Sequence, residues 1–187
     1  SYITSAVSSV LVFFSVYFAL VNSLFIFGEY KAVDKIYGKD SLAKMQLIMN
    51  DASSNAQIDY ADEIIKENGY LAIAYDVKAN EAFKNGDFAK VFEYKRKAIE
   101  CAPYSISEYI DYCEKLVTGI SLYSSANDSF SVEACADELL WVEEKLTEVE
   151  KHTSELGWKI YDKPELELPE EYIKLIKKIF KWRRYRR

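Results

Sequence analysis

Carboxylates are the most plentiful reactive groups in this chain, and several stand side by side, as in Asp62-Glu63 and Glu143-Glu144. Paired-carboxylate catalysis, as in glycoside hydrolysis, needs two carboxyl groups facing each other across about 5–9.5 Å. Neighbours on a helix project about 100° apart, so these pairs cannot converge and read as solvated faces. Nucleophilic chemistry has little more to work with. Cys101, Cys113 and Cys135 are far apart in sequence and lack an adjacent base. A reactive thiol needs a cationic neighbour, so these read as small buried hydrophobes. Their odd number and spacing match neither a disulfide framework nor a zinc site. His152 is the single histidine, which leaves almost no material for a His-based catalytic or transition-metal site. No glycine-rich loop follows a strand, so phosphate cradling has no support. Asn127-Asp128-Ser129 has the form of a glycosylation sequon and is read as chance. No catalytic, cofactor-binding or metal-ligating residue is assigned, and no cofactor is expected.

Charge and aromatic residues carry more information. The chain holds 24 Lys/Arg against 30 Asp/Glu, a net charge of −6. Residues 170–187 contain eight Lys/Arg and two Glu, leaving sixteen against twenty-eight elsewhere. The acidic body should repel nucleic acid, and the basic tail should seek something anionic. Pro169-Glu170-Glu171 starts a helix there, proline fitting the first turn and acids the positive end of the dipole. Tyr172, Leu175, Ile176 and Ile179 form its apolar side. Lys174, Lys177, Lys178, Lys181, Trp182, Arg183, Arg184, Arg186 and Arg187 are the membrane-surface candidates around it. The same helix could instead cap the acidic body. Fifteen tyrosines suit a carbohydrate-stacking groove, membrane interfaces or the inner faces of helical repeats.

The positioning elements are helical. Half the residues are apolar, with only six Gly and three Pro in 187 residues. Ile3 to Phe27 is a stretch without charge, long enough to cross a bilayer core that needs about 20 apolar residues. Ser5, Ser8, Ser9, Ser15 and Asn22 inside it suggest packing against other helices. Lysines at 31, 35, 39 and 44 lean that flank towards the cytoplasm. Glu29 to Lys66 is expected to hold two helices, with Ala43, Leu47 and Ile48 inward on one and Ile58, Ala61, Ile64 and Ile65 on the other.

Leu71 to Pro103 then gives a helical hairpin. One stripe is Ala72, Tyr75, Ala79 and Phe83; the other is Phe88, Val91, Phe92, Lys95, Ala98 and Ile99, with Asn85-Gly86-Asp87 as the turn. Tyr75, Ala79, Gly86, Phe88, Ala98 and Pro103 are the repeat-packing positions. After Pro103, Ile106, Tyr109, Cys113, Leu116, Ile120 and Tyr123 form one seam, and Val132, Cys135, Leu139, Val142, Leu146, Val149 and Leu156 the facing one. That is a long antiparallel helix pair, and in its register Ile120 stands beside Cys135. Trp158 to Pro169 breaks the pattern and is expected to lie extended, tucking in Trp158, Ile160, Leu166 and Leu168.

The whole reads as all-α. Residues 1–28 are a transmembrane helix, 29–157 a helical repeat domain ending in the long hairpin, and 158–187 an extended segment with a basic amphipathic helix.

The spacing of the repeat-packing residues resembles a tetratricopeptide repeat, with Lys78 and Val91 standing where that pattern has Leu and Ala. Taken with AYDVKANEAFKNGDFAKVFEYKRKAIECAPYSISEYIDYCEKL and the tail DKPELELPEEY, the chain resembles the C-terminal part of O-antigen ligase-like polysaccharide polymerase membrane proteins of clostridia-type bacteria. The resemblance implies a polytopic cell-membrane enzyme acting on lipid-linked glycan, whose catalytic residues lie outside this chain. Against the lean of the lysines, the resemblance makes this part an extracytoplasmic docking domain, with membrane lipid, a protein in the repeat groove, and glycan as partners. The competing expectation is a stand-alone membrane-anchored adaptor.

Overall fold

The computed structural model describes residues 2–37, 41–50, 54–155 and 168–186, with side chains omitted near some of the edges. Those residues form nine helices and no strand. They group into two compact units, Ser1–Val77 and Lys78–Arg187.

The first unit opens with α1, Tyr2–Ile26. At 1.5 Å per residue its 25 residues extend about 37 Å, against about 30 Å for a hydrocarbon core. From Ala6 to Ile26 it is long and apolar enough to cross a membrane, and none of that stretch is buried in the protein. Two of its hydroxyls are bonded within the helix. Ser15 Oγ donates to Leu11 O at 2.9 Å and Ser23 Oγ to Ala19 O at 2.7 Å, so neither hydroxyl requires a neighbouring helix.

Between α1 and the central hairpin the sequence predicts two helices; the structure has three. They are α2 (Tyr30–Tyr37), α3 (Ser41–Asn50) and α4 (Ser54–Glu67). The extra element, α2, has one buried residue, Val33, too few to write an apolar stripe into its eight residues. Ile48, Ala61, Ile64 and Ala74 form the small core of this unit. Lys44 is buried on α3, held by Glu63 and Glu67 of α4 at 2.9 and 3.0 Å. Burial works against its charge, and the two carboxylates overcome that and raise its pKa.

In the second unit, α5 (Ala72–Lys84, which begins in the first) leads through a tight turn to α6 (Phe88–Cys101). Gly86 sits at φ +71°, a left-handed conformation that side chains disfavour. Asp87 then caps α6, its carboxylate accepting from Lys90 N at 3.2 Å. The long helices α7 (Ile106–Ser125) and α8 (Ser129–Glu155) follow, and α9 spans Glu170–Arg186. Phe88, Val91, Ile99, Tyr109, Tyr112, Leu116, Leu139, Val142, Tyr172 and Ile176 share one core. α7 and α8 approach at Gly119, where a Cβ would stand 3.0 Å from Cys135 Sγ, and their side chains meet at Tyr112 with Glu138 and Trp141. Gly119 thus stands where the sequence register set Ile120, one residue away. Of the expected extended segment, Leu168 is described and is buried in this core; Trp158, Ile160 and Leu166 lie outside the described residues.

Candidate functional site

The chemically distinctive feature of the second unit is a band of charged groups held against the core where α6, α7 and α8 meet. Lys95 stands on the inner face of α6, one turn before Ala98, and is wholly buried. Its ammonium lies 2.8 Å from Glu108 and 2.9 Å from Asp111, both on α7. Lys115, one turn after Asp111, pairs with the same aspartate. Burial pushes the Asp111 carboxyl upward, but Lys95 and Lys115 outweigh it and hold the pKa below the ordinary aspartate value.

The second half of the band joins α6 to α8. Arg96 donates through Nε and Nη2 to the two oxygens of Glu138, at 2.9 and 2.8 Å. This fork-to-fork geometry fixes both side chains. Tyr112 Oη donates to Glu138 Oε2 at 2.6 Å from inside the core. Trp141 completes the group, with the Arg96 guanidinium 4.7 Å from its ring centroid and Tyr112 edge-on at 6.4 Å. Burial, with Glu138 beside it, drives the Tyr112 hydroxyl far above its usual pKa, so it stays a donor.

Such an arrangement fixes helices rather than moving protons. Each cation faces a carboxylate, and the groups that could attack a substrate are pushed away from their reactive forms. Burial raises the Cys113 thiol to about 12 and Cys135 to about 11, and it raises Cys101 as well. All three cysteines are free thiols. His152 lies exposed near the end of α8. Among the described residues no three His, Cys, Asp or Glu side chains gather as metal ligands.

The repeat-packing positions lie at helix contacts and turns. Ala79 and Ala98 are fully buried, Phe88 is nearly so, and Gly86 makes the turn. Tyr75, also buried, donates to Gly69 O at 3.1 Å. Pro103 is partly buried and its carbonyl accepts from Tyr109 Oη at 2.9 Å. Phe88 packs edge-on against Phe83, Phe92 and Tyr123.

On α9, Tyr172 and Ile176 enter the core while Lys174, Lys177, Lys178 and Lys181 stay exposed. Among the described residues, the apolar side of α9 packs on the core of the second unit and its lysine side stays open to solvent. Trp182, Arg183, Arg184 and Arg186 lie on the helix with their side chains outside the described residues, as is all of Arg187.

Sequence reasoning missed Arg96, Glu138 and Trp141 as a group. A guanidinium and a carboxylate 42 positions apart leave no local spacing signal. No protein-family model, curated protein or solved structure matches this chain.

Proposed function

We propose that the chain is a membrane-anchored helical interaction domain, with α1 as the anchor and a repeat-like scaffold as the part that meets a partner. The observation that carries this reading is α1 itself. A soluble protein does not leave 21 consecutive residues of this hydropathy unburied, whereas a bilayer covers such a surface fully. The scaffold is read as tetratricopeptide-like because α5 and α6, of 13 and 14 residues, join through Asn85-Gly86-Asp87 with alanines buried at Ala79 and Ala98. α3 and α4 are read as a degenerate repeat ahead of them. The pair α7 and α8 is taken as antiparallel, in keeping with the contacts of Gly119 and Tyr112. In this scheme the partly buried charged band is the fastener that holds α6, α7 and α8 in a fixed relation, so that the repeat groove keeps its shape.

The resemblance extends the proposal. The domain is the extracytoplasmic docking part of a polytopic membrane protein that ligates or polymerises cell-surface polysaccharide, taking a protein partner or lipid-linked glycan. One observation favours the second reading, a stand-alone adaptor with no enzyme attached. The hydroxyls of Ser15 and Ser23 are satisfied within α1, which removes part of the need for companion helices. The reading frame upstream of Ser1 separates the two, since a series of further hydrophobic spans belongs to the first reading alone.

The anchor is tested by removing residues 1–27. The shortened chain is expected in the soluble fraction with its helical circular-dichroism spectrum retained, while the full chain resists alkaline carbonate extraction. A shortened chain that still pellets wholly with membranes, even with the four lysines of α9 changed to glutamine, contradicts the reading.

A further inference from the structure

Where α1 ends, the first unit holds an open cavity of about 550 Å³, walled by Gly28, Glu29, Tyr30 and Lys31 on one side and Gln46, Leu47 and Asn50 of α3 on the other. That volume lies within the range of ordinary small-molecule sites. Its position is set by the chain. Gly28 lies two residues beyond α1, and the Tyr30 ring packs edge-on against Phe25 at 5.2 Å, tying the start of α2 to the end of the apolar helix. Exposed apolar side chains flank it in sequence on both walls: Ile26 and Phe27 at 79% and 80% exposure, and Met49 at 64%. Met45 and Met49 are one turn apart on α3, and Leu42 (also exposed) shares their side of it.

With α1 in a bilayer, on which this inference rests, these residues lie at the boundary between acyl chains and headgroups, and the cavity lies at headgroup depth. Its lining carries one acid, Glu29, and one base, Lys31, beside the polar Tyr30, Gln46 and Asn50 and the apolar Leu47. A zwitterionic phospholipid head presents the matching pair. Its phosphate accepts from an ammonium, from the Tyr30 hydroxyl and from amides, and its amine sits against a carboxylate. An anionic head brings a second negative charge next to Glu29. A choline head has no N–H to donate. We propose that this cavity is a binding site for the ethanolamine head of a membrane phospholipid, with Lys31 meeting the phosphate and Glu29 the ammonium.

The full chain in nanodiscs of phosphatidylethanolamine, phosphatidylcholine and phosphatidylglycerol in equal parts tests this. After gentle release, native mass spectrometry should find phosphatidylethanolamine retained in preference to the other two. Glu29→Gln should lower its retention about fivefold, the factor one charge at a membrane surface is worth, and erase the preference over phosphatidylcholine. Lys31→Gln should lower retention of all three phospholipids. Both side chains are exposed, and melting each variant beside the parent separates lost binding from lost fold. Retention of no lipid, preference for phosphatidylglycerol, or unchanged retention in both variants overturns the site while α1 remains an anchor. A chain that does not enter the discs overturns the anchor, and the site with it.

Discussion

Gly119→Ala should destabilise the protein although alanine is the better helix former. Gly119 lies inside α7, where replacing glycine by alanine is worth about 1 kcal/mol in helix propensity. Close packing around the residue opposes that gain. A Cβ at this position would stand 2.5 Å from Cε1 and 3.0 Å from Cζ of Phe88, and 3.0 Å from Sγ of Cys135. The Phe88 ring cannot swing clear, because Phe83, Phe92 and Tyr123 surround it at centroid distances of 5.6, 6.3 and 5.2 Å. Overpacking of this kind costs about 1–3 kcal/mol, so the net effect runs from near zero to about 2 kcal/mol of destabilisation. In a chain of this size, about 1 kcal/mol moves the melting temperature by roughly 2–4 °C. Circular-dichroism melts should show Gly119→Ala lower than the parent. Adding Phe88→Leu, which withdraws the offending ring edge, should make the alanine substitution less costly than it is alone. A two-residue cycle in which the effects simply add, or a Gly119→Ala protein that melts higher than the parent, refutes the close approach of α6 to α7 and α8 at this point.

Three further outcomes follow from the buried and half-buried groups. Tyr112→Phe should cost about 1–3 kcal/mol by denaturant titration, since it removes a buried donor and leaves Glu138 a bond short; a loss within error would mean water replaces it. Asp111 has a pKa lowered in the folded state, so its stabilising share is present above the unfolded aspartate value and is lost as pH falls through the lower folded one. Melting temperature should therefore drop on acidification below about pH 4, and less steeply in Asp111→Asn; identical slopes would refute the pairing with Lys95 and Lys115. At pH 8 a thiol reagent should modify Cys101 first, with Cys113 and Cys135 reacting only on unfolding; prompt reaction of Cys113 would contradict its burial.

Helix types and seams were legible in the sequence because apolar periodicity is local. Tyr109, Cys113 and Leu116 on α7 and Cys135, Leu139 and Val142 on α8 fall on the predicted stripes and are buried. Lys95 was placed on the inner stripe of α6 by position alone, and it is indeed buried there, beside acids from the next helix. What the sequence did not disclose depends on tertiary contact. Gly119 reads as a weak point within a helix until the Phe88 ring is seen above it. Arg96 and Glu138 carry no local signal of their pairing, which is visible only with Tyr112 and Trp141 beside them. The same holds for α9. Its alternation of apolar and basic residues fits both a membrane surface and a cap, and only the burial of Tyr172 and Ile176 assigns its apolar side. Exposed Glu63 shows the limit in reverse, for a residue read as one of a solvated pair also closes over the buried Lys44.

Whether α1 crosses a bilayer is the question on which the account turns, and it has a direct measurement. Cysteines introduced at Tyr2 and at Glu29, each in a Cys101→Ser chain in sealed vesicles, can be challenged with a maleimide that cannot cross membranes. The two sites bracket α1, and Cys113 and Cys135 are buried and slow to react. A membrane-spanning α1 gives opposite accessibility: one site labelled from outside, the other only after the vesicles are opened. Labelling of both sites from the same side would mean that α1 lies along the membrane or in water, and the anchored-domain reading would fall.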